Sequence, residues 1–338
     1  MKILITGGCG FLGARLARTL LAQGRLSMCG AEPRDIARIT LADRVPPPAD
    51  LQQDPRIAFV QGDLNELLAR GQGPQPDTAL VFHLAAAVSG ECEADFDLGM
   101  RSNLDATRAL LEACRALGTQ PVVVFSSSVA VFGSSPQQAL PPVIRDDTLP
   151  TPQNSYGIQK FIGEQLVADY TRKGFVRGRN VRLMTVSVRP GRPNAAASSF
   201  LSGILREPLA GVRARCPVPP ETAVALSSPA ATVAGILRAA EAGDGDWGAR
   251  TAVNLPALTI SVRGMVEALE RVAGPAAAAL IDWEPDPSIA AIVTSWPSRI
   301  DSARAAALGL RADASFDDVI RAYIHENRDA VKLPLERS

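Results

Sequence analysis

The chain has 338 residues, enough for one large core or for two closely joined ones. Lysine plus arginine and aspartate plus glutamate number 35 each, so the net charge is zero; neither a basic nucleic-acid stripe nor a charged tail is expected. No apolar run approaches a membrane span, the first is too short for a signal peptide, and the five scattered cysteines form no paired spacing, so a reduced, cytoplasmic protein is expected.

Residues 1–6 are a short apolar, partly β-branched run that reads as a buried strand. It enters Gly7-Gly8-Cys9-Gly10-Phe11-Leu12-Gly13, and residues 14–23 follow with Leu16, Leu20 and Leu21 at helical spacing. Gly7, Gly10 and Gly13 between a strand and a helix allow a tight turn, close approach of backbone to a pyrophosphate, and close packing of helix on strand. The helix N-terminus would present free N–H groups to the phosphates. A glycine trio can be only a turn, but this context favours the dinucleotide reading.

Residues 24–35 are irregular and longer than such connections usually are. Residues 36–43 read as the second strand, ending in Asp43. An acid there can accept both ribose hydroxyl protons and repel a 2′-phosphate, favouring NAD over NADP. Arg44 beside it opposes that inference, since an arginine can accept the phosphate. Residues 57–61 are a third strand, followed by Gly62-Asp63-Leu64 and a short helix, where Asp63 can equally be an N-cap.

Residues 79–83 form a fourth strand running into Leu84-Ala85-Ala86-Ala87. His83 reads as a satisfied buried histidine; with His325 it cannot build a metal site unaided, and no metal is expected. A long helix over about 94–117 carries Asn103, whose poor helix propensity hints at a polar tether. Residues 122–125 are a fifth strand, ending in Ser126-Ser127-Ser128. Tyr156 and Lys160, four apart, share one face of a helix reaching about residue 172. Residues 181–188 are a sixth strand, closed by Arg189-Pro190-Gly191.

A phenol with a reference pKa of about 10 is a poor base at neutral pH, and a nearby cation favours its phenolate. A serine hydroxyl can hold the substrate oxygen while the tyrosine takes its proton. This is redox chemistry on an alcohol or carbonyl.

Alternating strands and helices with near-continuous apolar strands predict an α/β fold, a Rossmann-type doubly wound parallel sheet with ligand at the strand carboxyl ends. From Pro193 onward the rhythm changes: prolines cluster at Pro208, Pro217, Pro219 and Pro220, and alanine-rich helices replace the strands. The expected division is a dinucleotide domain over 1–190 and a smaller substrate lobe over 191–338. Parts of that lobe should pack back, and a last helix over 315–327 should act as a cap.

Together these residues resemble the extended short-chain dehydrogenase/reductase family, the NAD-dependent epimerase/dehydratase group. The matches are Gly7, Gly10 and Gly13, Asp43, Gly62-Asp63-Leu64, His83-Leu84-Ala85-Ala86, Asn103, the serine run, and Tyr156 with Lys160, in family order over essentially the whole chain. The stretches 87–90, 95–99, 189–200, 206–211 and 216–220 resemble the D-erythronate dehydrogenase subgroup. Phe132 departs from the tyrosine many relatives carry there.

The resemblance implies NAD-dependent oxidation of the 2-hydroxyl of a small sugar acid, with NAD as cofactor and a homodimer possible. It implies Tyr156 as base, Lys160 as its partner and nicotinamide-ribose contact, and Ser128 as the oxygen holder. Cofactor contacts are expected from Gly7, Gly10, Phe11, Leu12, Gly13, Asp43, Asp63, Leu64, Leu84, Ala85, Ala86, Ser89, Asn103, Ser126, Pro190 and Gly191. Substrate contacts are expected from Ser127, Ser128, Asn194, Arg192 and Arg206, an arginine being the natural carboxylate anchor. Two rival readings stay open: a nucleotide-sugar epimerase of the same family, and a dinucleotide-binding redox sensor without turnover. Val129 and Ala130 after Ser128 supply no acid pair for dehydratase chemistry.

Overall fold

The computed structural model describes residues 1–191, 193 and 196–333. Seven strands form its central sheet: β1 (Lys2–Thr6), β2 (Arg38–Asp43), β3 (Ile57–Gln61), β4 (Thr78–His83), β5 (Val122–Ser128), β6 (Arg177–Leu183) and β7 (Val253–Asn254). Their order is β7-β6-β5-β4-β1-β2-β3, and every neighbouring pair is parallel. Ile3, Leu4 and Ile5 are all buried, which is why a strand covered on both faces reads as a continuous apolar run. The expected doubly wound α/β architecture is present.

Helix α1 (Phe11–Gln23) lays Leu16, Ala17 and Leu20 on the sheet and stops at Gly24, whose φ of 67° suits glycine. Residues 24–35, expected to be irregular, hold a small antiparallel hairpin, Arg25–Leu26 against Arg34–Asp35. Leu26 and Ile36 anchor it in the core.

The helix expected over 94–117 is broken. Ser89–Ala94 and Phe96–Gly99 are short helices, Met100–Asp105 is a π-helical turn, and α2 (Ala106–Leu117) completes the run. Asn103 sits buried in the π turn, a widening that often marks a functional position.

Helix α3 (Ser155–Arg172) begins at Asn154, whose side chain accepts the Gly157 N–H at 2.8 Å. A Cβ at Gly157 would lie 2.1 Å from the Ala130 carbonyl oxygen, so glycine lets α3 close onto the segment after β5.

Strand β6 starts earlier than expected, because its polar first half is satisfied internally. Arg179 reaches Asp244 at 2.5 Å, and Asn180 donates to the Glu164 carbonyl at 3.0 Å. It also ends earlier: Thr185–Val186 leaves to join Ala223–Ser227 and Leu258–Ser261 in a separate three-stranded sheet.

After residue 190 the chain divides its packing. Helices α4 (Phe200–Leu209), α6 (Val262–Ala273) and α7 (Phe316–Glu326) share a core containing Ile204, Leu205, Met265, Leu269 and Ile320. Between them, α5 (Pro229–Glu241) and β7 return to the main sheet, packing Val233, Ile236 and Val253 with Leu16 and Phe82. Arg15 of α1 forks onto Glu326 of α7 at 2.6 and 2.7 Å. Among the described residues no helix is long and apolar enough to cross a membrane.

Candidate active site

Two cavities, about 300 and 350 Å³, lie along the carboxyl edge of the sheet and share Gly7, Gly10, Leu84 and Ala86 on their walls. The first holds the serines at the end of β5 together with Tyr156 and Lys160. The second is bounded by the ends of β2 and β3.

The glycine turn fits a dinucleotide. Gly7 takes a φ of 68°, and a Cβ on Gly13 would sit 2.2 Å from the Gly7 carbonyl oxygen, so turn and helix need both glycines. At Gly10 the nearest obstacle to a Cβ is 3.4 Å away, while the residue lines both cavities; a side chain there would take up ligand space. No side chain caps the start of α1, and Phe11, Leu12 and Gly13 line the first cavity, leaving first-turn N–H groups for a phosphate.

Asp43 is held to this turn. Its Oδ2 accepts the Cys9 N–H at 2.9 Å and its Oδ1 the Arg44 N–H at 2.7 Å. Asp63 is an N-cap, accepting the Asn65 N–H at 3.0 Å, and also lines the second cavity with Leu64 and Ala85. The N-cap role is therefore seen directly, on a residue that also borders the cavity.

Beyond the glycines, Leu84, Ala86, Ser89, Tyr156 and Lys160 line the first cavity with Ser126, Ser127 and Ser128. The three serines divide by their partners. Ser126 donates to the His83 carbonyl at 2.9 Å, and Ser127 donates to Glu164 at 2.5 Å, so both hydroxyls are committed inside the fold. Ser128 is half-buried and hydrogen-bonds with Tyr156, as well as accepting the Ala130 N–H at 3.1 Å.

Lys160, 3 % exposed, donates from Nζ to the Ser126 carbonyl at 2.8 Å and stands 5.8 Å from the Tyr156 ring centroid. Burial pushes its pKa down to about 8, opposed by Cys92 and Glu164. Burial pushes Tyr156 up to about 12, and the Ser128 hydrogen bond and the Arg189 charge oppose it. The Arg189 charge thus favours the phenolate from another side of the cavity, beside the expected partner Lys160.

Asn103 lies outside both cavities. Its Oδ1 accepts the Ala87 N–H at 2.8 Å and its Nδ2 donates to Gln159 at 2.8 Å, so it ties the loop after β4 to α3. Pro190 and Gly191 also line neither cavity. Arg206 is not on the cavity wall; it donates to the Arg189 carbonyl at 2.9 Å and pairs with Glu207 at 2.5 Å. Arg192 and Asn194 lie outside the described residues.

Several lining residues escaped the sequence reading, Arg189, Ser198 and Trp296 among them. Arg189 carried a usable signal, a cation closing an apolar run near the sheet's carboxyl edge. Trp296 carried none, because it arrives from more than a hundred residues downstream. Among the described residues no group of three or more His, Cys, Asp or Glu could hold a metal ion.

The model of the NAD dependent epimerase/dehydratase family matches residues 3–219. A protein of Cupriavidus necator named D-erythronate dehydrogenase is 55% identical over 326 residues, 96% of this chain and 98% of that one. A protein of the same name from Haemophilus influenzae is 44% identical over 324 residues, 96% and 99% of the two chains. A crystal structure described as the nucleoside-diphosphate-sugar epimerase from Agrobacterium tumefaciens superposes with a TM-score of 0.87 at 39% identity, covering 98% of this chain and 95% of that one. The chain belongs to the NAD dependent epimerase/dehydratase family.

Proposed function

We propose that the protein is an NAD-dependent dehydrogenase that oxidises the 2-hydroxyl of a four-carbon sugar acid, D-erythronate, to the 2-oxo acid. The observation that carries this is one cavity holding both the glycine turn and the Tyr156, Lys160 and Ser128 side chains. The substrate comes from the names of the two full-length relatives.

Ser128 holds the substrate oxygen, and Tyr156 accepts the hydroxyl proton as the carbon–oxygen double bond forms. Lys160, fixed on the Ser126 carbonyl, stands beside the phenol and can reach a ribose hydroxyl. When bound, NAD supplies the hydride acceptor. Asp43 accepts the ribose hydroxyls at the other end of the cleft. The segment after residue 190 gives Ser198 and Trp296 to the wall, which supports its reading as the substrate lobe. Five free cysteines support a reducing compartment, the cytoplasm.

A nucleotide-sugar epimerase is the second reading, favoured by the description of the Agrobacterium relative. One experiment separates the two: NADH formation with D-erythronate, beside a calorimetric titration of UDP-glucose. Turnover of the acid and no nucleotide-sugar binding are expected. Micromolar UDP-glucose binding with no acid oxidation would replace the dehydrogenase reading by the epimerase.

A further inference from the structure

Among the described residues, the cationic side chains on the wall of the catalytic cavity are Lys160 and Arg189, and no carboxylate lines it. Lys160 is committed to the Ser126 carbonyl. Arg189 approaches from the segment that leaves the main sheet after Leu183, just beyond Thr185–Val186, and its guanidinium is fixed at two points. Nε donates to the Val186 carbonyl at 3.1 Å, and Nη2 donates to the Ser198 hydroxyl at 3.2 Å. Both acceptors are neutral, so these bonds orient the fork without balancing its charge. Burial already acts against that charge, and a half-buried cation so placed gains from an arriving anion.

Arg206 differs on each count. It is off the cavity wall, its charge is balanced by Glu207, and its other arm braces the Arg189 carbonyl. The expected anchor instead supports the backbone of the residue that faces the site.

We infer that Arg189 binds the substrate carboxylate and thereby selects the hydroxyl on the adjacent carbon for oxidation. This rests on the reading of the site as one that oxidises a 2-hydroxy acid. In such an acid the carboxylate and the reacting hydroxyl sit on neighbouring carbons, so anchor and proton acceptor must share one small wall. Arg189 and Tyr156 do, and each acts electrostatically on the other. Ser198 accepts from Arg189 and keeps its own O–H proton for a second bond to the carboxylate. A planar fork on a carboxylate also fixes the rotation of the C1–C2 bond, which presents the 2-hydroxyl and withholds the 3-hydroxyl.

The test compares D-erythronate with its neutral isostere D-erythronamide on the wild-type enzyme and on Arg189→Gln and Arg189→Lys. The wild type should prefer the acid by about 10- to 100-fold in kcat/KM, the range of a charged hydrogen bond. Arg189→Gln should raise KM for the acid by a similar factor and abolish the preference over the amide, with NAD affinity unchanged. Arg189→Lys should fall between, because it keeps the charge and loses the fork. If the Gln variant no longer binds NAD, the wild-type comparison of acid and amide decides. Equal use of acid and amide by the wild type, or a Gln variant whose KM stays within about twofold, overturns this inference alone. A wild type that oxidises no 2-hydroxy acid overturns the dehydrogenase reading and this inference with it.

Discussion

The Ser127 hydroxyl donates to the Glu164 carboxylate at 2.5 Å, latching the strand that presents Ser128 to the helix that presents Tyr156 and Lys160. Arg182 completes the latch, forking onto Glu164 at 2.8 and 2.7 Å, with all three residues buried. Removing one partner of such a pair strands the other charge and costs about 3–5 kcal/mol. Glu164→Ala should lose that much in urea unfolding. Glu164→Leu combined with Arg182→Met should recover most of it, since well-packed apolar replacements of buried pairs are often neutral. A single variant within about 1 kcal/mol of wild type would remove the latch from the account.

On the proposed reading, Asp43 sets the cofactor choice. Its carboxylate is fixed on the glycine turn through Cys9, where a 2′-phosphate would meet a like charge. Wild type should prefer NAD, and Asp43→Ala should narrow the gap to NADP. A wild-type preference for NADP would show that Arg44 dominates.

His83 gives the fold a pH dependence. Its Nδ1 lies 2.7 Å from the Thr6 hydroxyl and its Nε2 2.9 Å from the Thr107 hydroxyl, which itself donates to the Asn103 carbonyl. Thr107 therefore accepts from Nε2–H, and the ring is neutral. Burial, with the Lys160 charge, pushes its pKa down from 6.5 to about 3. Between those values the unfolded chain binds the extra proton, so stability rises with pH. The contribution is complete above about pH 6.5 and is lost as pH falls towards 3. Urea unfolding should show wild type losing more stability than His83→Gln between about pH 7 and pH 5. Parallel losses would contradict the neutral buried ring.

Gly157→Ala tests the closeness of α3 to the serine strand. The added Cβ would meet the Ala130 carbonyl oxygen at 2.1 Å, so the helix start carrying Tyr156 must shift. A stability cost of about 1–3 kcal/mol and a fall in kcat are expected. Unaltered kcat would show that the site tolerates the displacement.

The strands β1, β4 and β5 were legible because burial on both faces writes itself as apolar runs, and the glycine turn because its spacing is a backbone requirement. The polar start of β6 was not, since Arg179 and Asn180 look like loop residues until Asp244 and Glu164 are seen to satisfy them. The break around Asn103 was hidden because apolar periodicity runs across a π turn. Among the arginines, Arg206 and Arg189 look alike in sequence until Glu207 is found beside one and the cavity beside the other.

The central claim is that Tyr156 takes the proton as a sugar acid is oxidised by NAD. Its most direct test is NADH formation from D-erythronate by wild type and Tyr156→Phe, with NAD binding measured on both. The account predicts turnover by the wild type and a fall of about two to four orders of magnitude in the variant, with NAD affinity retained. A variant that keeps turnover within about tenfold of wild type would contradict it.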